Sequence, residues 1–275
     1  MRGRIAPLGC VGLAVASWVL VPVPLAAQNA VESLTPEAAE AFLENARVVK
    51  AEPIGRGITH PFRLTLTDGT LTHDAALNVV NEQSSIERFV DGTFELNFID
   101  SYRYNIAAYR LARLLGLQDF IPATVERRWN GRIGSLSWWL DDAMEEGERL
   151  RQQLRAPDPQ AWNRQIHRVR LFNNLVYDTD RNLGNMMVTT DWHAWLIDFT
   201  RAFRKWKKLP AQSDLSMVDG YLLDRLRTLT AELIIDATAP HLLESEVDAL
   251  IERRDLIVDH FDRLIGERGR GAVVY

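Results

Sequence analysis

Cysteine is almost absent from the sequence, and its one position excludes most thiol chemistry. Cys10 is the only cysteine, and it lies in an apolar N-terminal segment. If that segment is removed, the mature chain has no thiol, so disulfides and cysteine-based zinc sites are excluded. The histidines show neither an H-E-x-x-H sequence nor a pair at metal-ligand spacing.

An excess of positive charge is absent too. The formal net charge is -5, and the one basic cluster is the short run Arg201–Lys208. We therefore expect no non-specific binding to nucleic acid. Repeats and low-complexity tracts are missing, while 47% of the residues are hydrophobic, which is ample for a core. The composition predicts an ordinary globular chain, either one two-lobed domain or two small ones.

The N-terminal residues have the pattern of a targeting segment. Arg2 and Arg4 precede an apolar run over residues 5–25, and Ala27 offers a small residue for cleavage. We expect residues 1–28 to be a signal peptide and the protein to be exported, to a periplasm or to the extracellular space. The alternative is a membrane anchor through the same apolar run, which would be the only membrane contact of the chain.

The densest group of polar residues follows a predicted amphipathic helix that ends at Tyr177. The loop Asp178–Asn185 comes next, and two short predicted strands, Met186–Val188 and Trp195–Ile197, lead to Asp198. A carboxylate and an amide five residues apart, with a second carboxylate at a strand end, suit a magnesium-bound polyphosphate. One acid can orient a hydroxyl, while the other two side chains supply hard oxygen ligands to the metal.

Three other interpretations compete for this loop. A calcium loop of the EF-hand type starting at Asp178 would need glycine at position six and glutamate at position twelve, where the sequence has Leu183 and Thr189. A haloacid-type phosphatase uses an Asp-x-Asp pair directly after a parallel strand, whereas a helix is predicted here. The third is a solvated turn whose acids cap helices, and Asp198 argues against it.

These motifs resemble those of atypical kinases. Residues 180–185 have the D-x-x-x-x-N spacing of the kinase catalytic loop, and Ile197-Asp198-Phe199 resembles the metal-binding D-F-G segment. D-R-N-x-G-N followed by I-D-F is closer to the phosphoinositide-kinase-like and secretory-pathway atypical kinases than to protein kinases with H-R-D. The resemblance covers about residues 47–265.

The resemblance implies a bilobal α+β fold, with a small antiparallel sheet lobe and a larger, mainly helical lobe. It implies a cofactor, ATP or another nucleoside triphosphate with Mg²⁺ or Mn²⁺, and a substrate that carries a hydroxyl and is otherwise unidentified. Asp180 would be the catalytic base, and Asn185 and Asp198 would be the metal ligands.

The same resemblance divides the chain into parts. Residues 29–46 are expected to be a linker and a short helix capped by Thr35, residues 47–141 the nucleotide-binding lobe, and residues 142–275 the catalytic lobe. A hinge near Trp139 would meet an adenine. The predicted helices are 36–45, 101–115, 146–154, 159–177, 220–236 and 244–266.

Three strands, 47–54, 62–67 and 75–80, are predicted in the small lobe, and a hairpin across Asn130-Gly131 follows. Gly55 and Gly57, between the first two strands, have the place of a glycine-rich loop over phosphates, although two glycines are equally typical of a hairpin turn. By the resemblance, Ala76 faces the nucleotide.

One expected cation is missing from this lobe. Asn78 stands where active kinases have a lysine, and the predicted helix Ser101–Arg113 contains no acid to pair with it. Losing both is physically coherent, because an unpaired buried carboxylate is costly. Arg63 is the preferred replacement cation, with Arg56 behind it. If no cation reaches the phosphates, the alternative is an exported pseudokinase that binds nucleotide or protein as a regulator without turnover.

Overall fold

The fold is known from a computed structural model that describes residues 34–55, 61–89 and 92–275. Residues 35–275 cluster as one unit. The predicted targeting segment, together with Arg56 and Gly57, lies outside the described residues. Within the described ranges, no helix combines the length and apolar character needed to cross a membrane.

The first helix, α1 (Pro36–Asn45), begins where local chemistry predicts. The Thr35 hydroxyl accepts a hydrogen bond from the backbone N–H of Ala38 at 3.3 Å, and Pro36 occupies the first turn. Phe42 and Leu43 on its buried side pack against the neighbouring sheet. The prediction of this helix is confirmed to the residue.

A five-stranded antiparallel sheet forms the small lobe. Its strands, in spatial order, are β1 (Arg47–Pro53), β2 (Phe62–Thr67), β3 (Thr72–Asn78), β7 (Arg132–Trp138) and β6 (Thr124–Trp129). The predicted hairpin of β6 and β7 turns at Asn130 and Gly131, which both have positive φ. The sheet packs its core side against α1 through Leu64, Leu66, Ala75, Leu77 and Leu136.

The next two strands were not predicted. β4 (Asn81–Arg88) and β5 (Phe94–Ser101) form a separate two-stranded sheet. Most of their side chains are exposed, including Ile86 and Phe94, so the sequence lacks the alternation of buried and exposed residues that reveals a strand. Helix α2 (Arg103–Leu114) follows and packs on β6 and β7.

The remaining elements belong to the helical lobe. They are β8 (Ala143–Glu145), α3 (Glu146–Arg151), α4 (Pro159–Val176), β9 (Met186–Thr189), β10 (Ala194–Leu196), α5 (Gly220–Thr228), α6 (Ala231–Thr238) and α7 (Glu244–Arg268). β8, β9 and β10 pair as a small antiparallel sheet, with β9 in the centre. A large core cluster, which includes Phe172, Phe199, Phe203 and Phe261, joins the helices to this sheet.

Three predicted helix bounds were wrong. The predicted helix 220–236 is two helices, because Thr230 is extended and its hydroxyl caps α6 by accepting from Leu233 N–H at 3.3 Å. The predicted helix 146–154 stops at Arg151, since Gln153 has a left-handed φ of 56°. The last helix continues past Gly266 to Arg268.

Candidate active site

A cavity of about 580 Å³ lies between the two lobes' facing surfaces. It is lined from the sheet lobe by residues that include Ala76, Asn78, Asn105, Thr124, Ser137 and Trp138. Trp139, Leu140 and Ala143 line it along the predicted hinge, and Met187, Leu196, Asp198 and Phe199 line the opposite side. Of the predicted cofactor-binding residues, Ala76 and Trp139 therefore border the cavity. Gly55 and Arg63 do not appear in its lining.

Helix α4 leads directly into the polar loop Asp178–Asn185. Asp158 caps its start by accepting hydrogen bonds from two backbone N–H groups, and Pro159 begins it. At the other end, Tyr177 takes a left-handed conformation with φ 46°, which ends the helix and turns the chain into the loop. The sequence thus fixes both ends of the helix by local chemistry.

An ion pair that sequence reasoning missed organises the loop. The carboxylate of Asp178 is fully enclosed and accepts from the Arg181 guanidinium and from the backbone N–H of Asp180 at 2.9 Å. Arg181 also donates to the carbonyl oxygens of Asn185 (2.7 Å) and Ile197 (2.8 Å). Such charge-assisted bonds are among the stronger ones in proteins.

Arg181 reaches one residue further, to the carbonyl oxygen of Asp198 at 3.0 Å, and its guanidinium lies 4.3 Å from the ring centre of Phe199. One arginine therefore ties the loop to the strand end that carries the second acid. An Asp-x-x-Arg spacing inside a polar loop was the only sequence signal for this role.

The three predicted site residues share this network, Asp180 and Asp198 through their backbone carbonyl oxygens and Asn185 through its side-chain amide and its carbonyl oxygen. The Asn185 side-chain nitrogen donates to the carbonyl oxygen of Asp180 at 2.8 Å, and the backbone N–H of Ile197 donates to the carbonyl oxygen of Asn185 at 3.1 Å. With its nitrogen held, Asn185 presents its amide oxygen as the atom that could bind a metal. The side chain of Asp180 is exposed.

Asp198 borders the cavity in an unusual conformation. Its φ is 55°, and its carboxylate accepts a hydrogen bond from the Thr200 hydroxyl at 3.0 Å. The side chain reaches the open cleft, yet protein surrounds it on the other sides, and this desolvation raises the pKa of the carboxyl while the Thr200 hydrogen bonds lower it. A bound cation would favour the ionised form.

Two asparagines, Asn78 and Asn105, line the opposite wall. The Asn78 side-chain oxygen accepts from the backbone N–H of Val80 at 3.0 Å. Asn105 of α2 accepts from the backbone N–H of Phe199 at 2.6 Å and donates to the Ser135 hydroxyl at 3.0 Å. Asn105 therefore connects α2, the sheet and the strand end at Asp198, a role that the sequence analysis did not assign.

The predicted replacement cation has other partners. Arg63 donates to Asp74 at 2.6 Å, and its guanidinium lies 4.3 Å from the ring centre of Trp139. Its role as a phosphate ligand stays a prediction. Among the described residues that line the cavity, the one basic side chain is Arg151, which is paired with Glu148.

A further carboxylate lies near Asp198. Asp100, at the end of β5, is partly buried; desolvation raises the pKa of its carboxyl, the Thr200 hydroxyl lowers it, and the charge of Asp198 raises it. The described residues contain no group of three or more His, Cys, Asp or Glu side chains placed to hold a metal. Asp198, with the amide oxygen of Asn185, would supply the few protein ligands that Mg²⁺ often takes, with phosphate oxygens and water completing the set.

Comparison with known proteins places this architecture. No family model and no curated protein matches the sequence. Among solved structures, a hydra Fam20 protein with a sugar superposes with a TM-score of 0.63 at 14% sequence identity, covering 86% of this chain and 91% of that chain.

Two other structures support the same placement. The Golgi casein kinase with Mn and ADP bound matches with a TM-score of 0.62 at 14% identity, covering 87% of this chain and 78% of that one. The Helicobacter pylori proinflammatory kinase CtkA matches with a TM-score of 0.54 at 10% identity, covering 82% and 98%. At these identities the matches show the fold. The chain has the bilobal α+β fold of atypical kinases, as the motifs predicted.

Proposed function

We propose that this protein is a phosphotransferase that uses a metal-bound nucleoside triphosphate to phosphorylate a hydroxyl group. One observation carries the proposal: a single hydrogen-bonded network joins the Asn185 side chain and the backbone carbonyls of Asp180 and Asp198, and Asp198 lines a cavity of about 580 Å³. The spacing that predicted them also occurs in kinase catalytic loops, and the fold is that of kinases.

Each of these side chains has a distinct task in the proposal. The exposed carboxylate of Asp180 accepts the proton of the acceptor hydroxyl, as a general base within reach of the substrate. The amide oxygen of Asn185 and the carboxylate of Asp198 hold Mg²⁺ or Mn²⁺. The ion, when bound, neutralises charge on the transferring phosphoryl group.

The apolar part of the cavity suits the base of the nucleotide. Ala76 on the sheet and Leu196 on the opposite wall border it, and the hinge near Trp139 would meet the edge of an adenine, although the Trp139 N–H itself donates to the Asp74 carbonyl at 3.1 Å. Gly55 begins the loop that would cover the phosphates, and Gly57 completes it in this proposal.

The test is phosphate transfer by the full chain. We expect [γ-³²P]ATP to be consumed in the presence of Mg²⁺ or Mn²⁺, with loss of that turnover in Asp180→Ala. Asp259→Asn, which removes an exposed acid from α7, is the matched control and should keep full turnover. A folded wild-type protein without any metal-dependent turnover would contradict the proposed enzyme.

A second function is favoured by the scarcity of positive charge around the cavity. With Asn78 in place of a lysine, and with the lining cation Arg151 paired to Glu148, the phosphates have few positive partners among the described residues. The chain would then be a pseudokinase that binds nucleotide or protein as a regulator. A thermal shift with ATP and Mn²⁺ that Asp198→Ala abolishes, in the absence of turnover, would support this function.

We also propose that the protein is exported. Residues 1–28 have the pattern of a signal peptide, and the alternative is an anchor through residues 5–25. Mass determination of the N-terminus of the protein purified from its own cells separates the two, because export with processing predicts a start near residue 28 and an anchor predicts an intact segment.

A further inference from the structure

Asp100 is tied through its backbone to the segment that carries Asp198. The backbone N–H of Ser101 donates to the carbonyl oxygen of Thr200 at 2.9 Å, so the end of β5 runs beside the residues that follow Asp198. Asp100 is the second-to-last residue of β5, and α2 begins at Arg103, shortly after it. It therefore lies just ahead of the helix that supplies no acid.

The Thr200 hydroxyl lies close to both carboxylates. It donates to Asp198 at 3.0 Å and is near enough to Asp100 to lower the pKa of that carboxyl. A hydroxyl has a single proton, so it cannot donate to both carboxylates at once. The Asp100 Oδ1 atom is enclosed and has no hydrogen-bond partner.

The charge of Arg201 lowers the pKa of Asp100, but no hydrogen bond joins the two side chains among the described contacts. The Arg201 guanidinium is bound by Glu95 and lies over the rings of Phe89 and Phe98, at 5.4 and 5.1 Å from their centres. A carboxylate oxygen that is buried without a partner is costly. A second carboxylate beside it adds repulsion, which a divalent cation would remove.

We propose that Asp100 is a third protein ligand of the divalent ion, joining Asp198 and Asn185. The inference rests on the proposed metal-dependent function and deepens it. Three oxygen donors, two of them carboxylates, match the preference of Mg²⁺ and Mn²⁺ for hard oxygen ligands. Asp100 thereby supplies from the strand before α2 the acid that the helix lacks.

The test measures metal binding directly, by titrating Mn²⁺ into the full chain and following free Mn²⁺ by electron paramagnetic resonance. We expect wild type to bind, Asp198→Asn to lose binding, and Asp100→Asn to bind about tenfold more weakly or worse. Glu82→Gln is the matched control, because Glu82 pairs with Asp100 across the hairpin but is exposed; we expect wild-type affinity.

A soft-ligand variant gives a readout that a structural role would not change. Asp100→Cys should lose affinity for Mn²⁺ and gain affinity for Cd²⁺, since thiolates select soft metals. Glu82→Cys, which adds a thiol nearby, should keep its Mn²⁺ affinity and gain no Cd²⁺ affinity. Cd²⁺ binding also keeps the inference testable if Asp100→Asn does not fold.

The outcomes separate the two proposals. If wild type binds Mn²⁺ and Asp100→Asn binds it equally well, or if Asp100→Cys gains no Cd²⁺ affinity over Glu82→Cys, Asp100 is not a ligand and the inference fails alone. If wild type itself binds no Mn²⁺, the metal site of the proposed function fails together with the inference.

Discussion

The two walls of the cavity are held together in different ways. One wall ends at Asp198, whose backbone carbonyl accepts from Arg181; Arg181 is paired with the buried Asp178 and also bonds the loop after α4. The wall formed by the sheet and α2 carries the neutral amides Asn78 and Asn105, and the sequence analysis found neither the lysine nor the helix acid of active kinases there.

The two walls are held by different interactions. In the first, the charged Arg181 holds the backbone of the loop and of the following strand end in place. In the second, the neutral side chain of Asn105 bonds the Phe199 N–H and the Ser135 hydroxyl, and these hydrogen bonds connect the wall. Metal binding is therefore expected to depend on the first wall, and nucleotide affinity on the second.

The largest expected effect comes from the first wall. Asp180→Ala removes the proposed general base and should lower the rate of phosphoryl transfer by roughly 10²- to 10⁴-fold, measured as kcat with saturating ATP and metal. The melting temperature should stay close to wild type, since the side chain is exposed. An unchanged kcat would contradict Asp180 as the general base.

The next effect concerns His241, which lies between α6 and α7. His241 is 3% exposed, and desolvation, with the charges of Arg110 and Arg103, lowers its pKa to about 4; Glu126 at 3.9 Å does not offset this. The pKa of His241 in the folded state lies below its unfolded value of 6.5, so the folded protein holds the imidazole neutral. Its contribution to the free energy of unfolding is fully present above pH 6.5 and is lost as the pH falls towards 4.

The loss of unfolding free energy over that range should reach about 3 kcal/mol, measured by urea unfolding at several pH values. His241→Phe should flatten this part of the curve. An equally steep curve in that variant would assign the acid sensitivity to other groups.

Asn105→Ala should have a somewhat smaller effect. It leaves the Phe199 N–H and the Ser135 hydroxyl without their partner, so we expect a loss of about 2 kcal/mol in unfolding free energy, measured by chemical denaturation. Asn163→Ala, at an exposed position of α4, is the control and should change little. If both variants behave alike, Asn105 does not hold the second wall.

Restoring the missing cation should have the smallest effect. Asn78→Lys places a positive charge on β3 and should tighten ATP binding by up to about tenfold, or about 1.4 kcal/mol, measured by calorimetry with Mn²⁺. Asn78→Gln, which also alters the hydrogen bond to Val80 but adds no charge, is the control. Weaker binding in the lysine variant would mean that another cation already occupies this position.

Local chemistry was sufficient to predict much of the fold. The cap at Thr35, the Asn130-Gly131 turn and the start of α4 each depend on a few neighbouring residues, and the structure has them as predicted. The spacing of the loop and of the following acid carried the resemblance that implied the kinase-like fold, which is confirmed, while the roles of the site residues stay predictions.

The features that were missed depend on contacts between distant segments. Arg181 acquires its role by reaching Ile197 and Asp198, and the backbone of Ser101, next to Asp100, bonds that of Thr200 across about a hundred residues of sequence. The hairpin of β4 and β5 has mostly exposed side chains and so lacks the pattern that marks a strand. Sequence periodicity reports none of these pairings.

The most direct measurement of the central claim is the binding of a non-hydrolysable ATP analogue to the full chain by calorimetry, with and without Mn²⁺. We expect wild type to bind the analogue in a metal-dependent way and Asp198→Asn to lose that dependence. Equal binding with and without metal, or metal-dependent binding that survives in Asp198→Asn, would contradict a divalent ion held by Asn185 and Asp198.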